Sequence, residues 1–159
     1  MDIFTITASV LAAAAVGLSF IPQFPAVVAG WLAMLCAHLG GFPFINSKVL
    51  IFWGTASLIV IMLGILQPKA LTSTRSGQGY VVGGAIVGAL LGLLAANVTA
   101  SIIAGSIIGA VLGAVAYMRT PKSPRLKLTS PHFVQYLCAK GLPAVVSCSM
   151  AAIVIALVL

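Results

Sequence analysis

The chain is almost without acid. Asp2 is its single Asp or Glu in 159 residues, and only 6% of its residues carry charge. Soluble domains carry roughly a quarter, so this scarcity excludes an ordinary water-soluble globule. It also removes the carboxylates on which general acid–base chemistry, metal sites and intramembrane proton relays depend. Two histidines, His38 and His132, remain, too few for a nucleophile that needs both a base and an orienting group beside it. The expectation is a protein that is not an enzyme, with no metal site and no cofactor. The three cysteines, Cys36, Cys138 and Cys148, form no CxxC pair and lie in or beside apolar stretches, where a free thiol packs as a small hydrophobe.

What the chain does have is apolar length. Hydrophobic residues make up 62% of it and the mean hydropathy is +1.23. Its uncharged runs of about 17 to 20 residues are long enough to cross a hydrocarbon core of about 30 Å as helices. A single integral membrane domain over residues 1–159 follows, all-α, a polytopic helical bundle with about six hydrophobic segments. The first, Ile3 to Ile21, is stopped by Pro22 and Pro25, since each proline removes a donor and disfavours helix before it. The second, Ala26 to about Leu39, is short for a full span, so the first two either cross separately or form a proline-broken re-entrant hairpin. Val49 to Gln67 is a full-length third segment, with Trp53 placed for an interfacial ring. Tyr80 to Ala96 and Ser101 to Met118 are the fourth and fifth, joined by a turn at Asn97. His132 to Lys140 is expected along the interface, with Pro143 opening the last span.

The net charge of +7 raises the question of nucleic acid, but no basic face interleaved with stacking aromatics accompanies it. It is read instead as an orientation signal. The loops 68–79 and 119–131 hold six of the eight basic residues and Lys140 is expected to join them by snorkelling, leaving only Lys48 on the other side. By the positive-inside rule both loops face the cytoplasm.

The fourth and fifth segments repeat one pattern. Gly84, Gly88 and Gly92 recur 21 residues later as Gly105, Gly109 and Gly113. Glycine at every fourth position costs a water-exposed helix about 1 kcal/mol per residue against alanine, whereas in lipid it opens a groove for close backbone packing. The spacing predicts a glycine-zipper hairpin from segments four and five, with these six glycines as packing residues within the chain or towards copies of it.

The proline-broken first hairpin at Pro22 and Pro25, the loop Arg75, Ser76, Gly77, Gln78 and Gly79, and the zipper from Gly83 and Gly84 through Gly88 and Gly92 to Gly113 resemble a family of small glycine-rich bacterial membrane proteins of unknown function, the DUF456 family. The resemblance covers roughly residues 10–118. It implies a helical fold in a bacterial inner membrane and supplies no activity. Acidic residues associated with that pattern are missing here, where the chain reads Gly64 to Gln67 and Ala114 to Tyr117.

Three further readings concern function. Gly77 and Gly79, with Arg75, Ser76 and the start of the fourth helix, form a candidate lipid-phosphate site, because a helix N-terminus offers free N–H groups and a positive dipole end; the alternative is a solvated loop. The same glycines mimic a dinucleotide fingerprint but lack its preceding strand. His38 shares a helix face with Met34 and Trp31 and either caps, packs or relays a proton. With the break at Pro22 and Pro25, it marks a candidate pathway, since irregular backbone at membrane depth needs protein or a water cavity around it. The leading expectation is a small oligomeric protein of transport or permeation type, acting on a neutral, lipidic or anionic substrate. The alternative is a non-catalytic accessory or scaffold subunit. Membrane lipids and a homo-oligomer or larger membrane complex are the expected partners, and nucleic acid is not.

Overall fold

A computed structural model describes residues 3–21, 25–67, 77–95, 98–121 and 131–158, and the described residues contain helices and no strands. In chain order these are α1 (Ile3–Leu18), α2 (Pro25–Leu39), α3 (Ser47–Leu66), α4 (Gln78–Leu93), α5 (Val98–Met118), α6 (Pro131–Tyr136), a π-turn (Leu137–Gly141) and α7 (Leu142–Val158). Three stretches are long and apolar enough to cross a membrane: Ser47–Leu66, Thr99–Met118 and the unbroken Pro131–Val158. The other long helices, α1, α2 and α4, have 16, 15 and 16 residues, about 22–24 Å at 1.5 Å per residue.

Local chemistry sets several of the ends. Pro25 opens α2, the first helical position, where its missing N–H costs nothing. Asn46 caps α3, its Oδ1 accepting from the Val49 N–H at 3.0 Å. At the other end Gln67, which precedes Pro68, is extended at φ −77° and ψ 148°, as the proline ring requires. Gly77 takes the left-handed φ of 72° to start α4, a conformation that costs glycine little.

The last segment departs most from expectation. Pro143 does not open a span, and His132 to Lys140 do not form a separate surface helix; α6, the π-turn and α7 make one continuous helix of 28 residues. The Leu142 N–H bonds the Leu137 carbonyl, five residues back. A proline cannot donate to the carbonyl four residues before it and its ring crowds that position. The wider turn directly ahead of Pro143 accommodates it without breaking the rod.

This long helix is the axis of the bundle. Every residue from Ala144 to Val154 is buried, and α7 packs against α1, α2, α3, α4 and α5. One apolar cluster gathers Ala8, Ala12, Val27, Met34 and Trp53 around Met150 and Val154. A second gathers Val81, Ala85, Ala110 and Ala114 around Ala144 and Val145. Trp53 is buried in the first.

The most extensive helix contact is that of α4 with α5. A Cβ added to Gly84 would run into the Gly109 carbonyl, and one added to Gly109 into that of Gly84; Gly88 and Gly105 oppose each other in the same reciprocal way. Gly92 faces Ser101 and Gly113 faces Tyr80, again backbone to backbone. All six glycines of the repeat are thus turned towards the partner helix of the same chain.

Candidate functional site at the tip of the first hairpin

Because α1 and α2 are short, where they turn matters. Ser19 follows the last residue of α1, and its Oγ lies 2.8 Å from the Oγ of Ser147. Ser147 sits six positions beyond Gly141, the end of the π-turn, or about 9 Å along the axis. Gly30, near the start of α2, packs on Met150 and the Ser147 carbonyl. The other helices go further. At Ser57, α3 touches Met150 and continues for nine residues to Leu66; at Ser106, α5 touches Ser149 and continues for twelve to Met118. Both, with α4, reach the π-turn. α1 therefore ends short of the level that α3 and α5 attain.

A helix that ends inside an apolar bundle must satisfy its last carbonyls without water, and α1 does. The Ser19 N–H and Oγ both donate to the Ala15 carbonyl, the Phe20 N–H to Gly17, and the Ile21 N–H to Leu18. The carbonyl of Ser19 itself accepts from Gln78 Nε2 at 2.9 Å. Gln78, the first residue of α4, is buried. The Cys148 thiol lies against the Ser19 and Ser147 hydroxyls, and Ser147 Oγ also reaches the Pro143 carbonyl at 2.8 Å. Ser19, Gln78, Ser147 and Cys148 form a polar knot in an apolar bundle.

Of the residues singled out in the sequence, Pro25 borders this tip; Pro22 lies outside the described residues. His38 is not part of the knot. It stands at the other end of α2, where Nδ1–H donates to the Ile45 carbonyl at 2.5 Å and closes the turn through Gly40 and Gly41. That is a cap on the loop between α2 and α3.

The candidate phosphate loop is divided. Gly77 is buried, and the place its side chain would take is filled by the Tyr136 hydroxyl and the Tyr117 ring. Gly79 is exposed with nothing near it. Arg75 and Ser76 lie outside the described residues. Tyr117 and Tyr136 stack with centroids 6.1 Å apart and planes 12° from parallel, and Lys140 Nζ stands 5.8 Å from the centre of the Tyr136 ring. Lys140 does not snorkel. Only 2% exposed, it is turned into the bundle against an aromatic face that attracts a cation.

Ser19 and Gln78 were not legible as a site. One sits in a proline-terminated run and the other in a glycine loop, and nothing local announces that positions 59 apart will meet. The one available signal was Gln78 itself, an uncharged amide at the mouth of an apolar helix. Comparison of the chain with protein-family models, with curated proteins and with solved structures finds no match.

Proposed function

We propose that this chain is a small integral membrane protein of transport or permeation type whose working element is the α1–α2 hairpin. The observation that carries the reading is the end of α1 held beside Ser147 and Gln78, short of the level reached by α3 and α5. Broken or foreshortened helices with sheltered polar groups are how transporters build sites inside the bilayer. Ending a helix at depth would cost several kcal/mol for each backbone group left unsatisfied, and the bonds around Ser19 remove that cost for α1. With no carboxylate in the spans, a neutral, lipidic or anionic substrate suits it better than a coupled cation.

In this reading all six hydrophobic segments belong to the membrane bundle, α4 and α5 form a glycine zipper, and loops 68–79 and 119–131 face the cytoplasm of a bacterial inner membrane. The resemblance to the DUF456 family belongs to the same proposal. So does a lipid-phosphate role for Arg75, Ser76 and Gly79. Gly77 contributes by letting the tyrosines close over the start of α4. In the test, reconstituted protein is assayed for flux of neutral and anionic solutes and for lipid redistribution, as wild type and as Pro22→Ala with Pro25→Ala. The double variant is expected to fuse the short helices and lose activity while remaining folded. A wild type inert in every assay would end the transport reading.

A second reading, an accessory or scaffold subunit, is favoured by a different observation. The core serines bond in pairs, Ser19 with Ser147 and Ser106 with Ser149, and an open apolar groove of about 420 Å³ runs along α4 and α5 between Val87, Leu91, Ile108 and Leu112. Those features suit packing against copies of the chain or a larger complex. Inert wild-type protein that purifies as a defined oligomer would favour this reading.

A further inference from the structure

We draw no further inference here: the strongest candidate, the open apolar groove along α4 and α5 between Val87, Leu91, Ile108 and Leu112, is an unpartnered face of the described residues, and nothing in the structure shows what covers it.

Discussion

At Gly84 and Gly83, neighbours in one helix, a methyl group has opposite consequences. A Cβ on Gly84 meets the backbone of α5, whereas one on Gly83 meets nothing within 4 Å. Gly84→Ala is therefore expected to destabilise by about 1–3 kcal/mol, the range for overpacking. Gly83→Ala should be neutral or gain up to about 1 kcal/mol from helix propensity. Thermal unfolding in detergent checks the pair, and equal melting temperatures would refute the packing. A second contrast lies at the hairpin tip. Gln78→Leu keeps the bulk but leaves the buried Ser19 carbonyl without its donor, a loss of about 1–3 kcal/mol, visible as a lowered midpoint. Tyr80→Phe, on the exposed side of the same helix, should cost far less. The glycines were readable because their spacing is local. The Ser19 to Gln78 bond was not, since it depends on where two separate hairpins come to rest, and Lys140 was misplaced because composition cannot tell a snorkelling lysine from one turned inward over Tyr136.

The continuous helix from Pro131 to Val158 is the element that pattern alone could not supply. Lys140 and Pro143 both look like the edge of a span, and the π-turn that absorbs Pro143 leaves no mark in composition. Its extra residue is taken up in the wider turn, which moves the carbonyls clear of the Pro143 ring. Deleting Ala139 would restore regular helical spacing and press that ring against the carbonyl four residues before it. The expected result is a clear fall in melting temperature. Pro143→Ala, which leaves the residue count unchanged, should be tolerated. If the deletion is as stable as wild type, the π-turn does not serve to accommodate Pro143. By contrast, the C-terminal end of α3 was legible: the segment was expected to stop at Gln67, before Pro68, and the helix ends at Leu66 with Gln67 extended.

Seen whole, the molecule is two helix pairs, α1–α2 and α4–α5, with α3 beside them and the long helix running through the middle. The helical character and the apolar spans could be read from the sequence, since both follow from hydropathy and length; the central position of α7 could not, because α7 is no more apolar than its neighbours. Orientation is a property of this scale. Arg75→Cys and Arg125→Cys, on a cysteine-free background, are expected to react from the cytoplasmic side and Lys48→Cys and Asn97→Cys from the opposite side, following the distribution of basic residues. Labelling of Arg75→Cys and Arg125→Cys from opposite sides would reject that arrangement.

The central place of α7 also bears on the order in which the bundle is made. Synthesis runs from the N-terminus, so α1–α2 and α4–α5 exist before the helix that joins them. The glycine contacts of α4 with α5 need nothing made later, and that pair can close as soon as both are inserted. Ser19 and Ser106, however, must wait for Ser147 and Ser149. During that interval their hydroxyls are held by the carbonyls of Ala15 and Ile103, bonds within their own helices. Each serine thus has an early partner and a late one, and the chain can pause in the membrane half assembled without leaving either group bare.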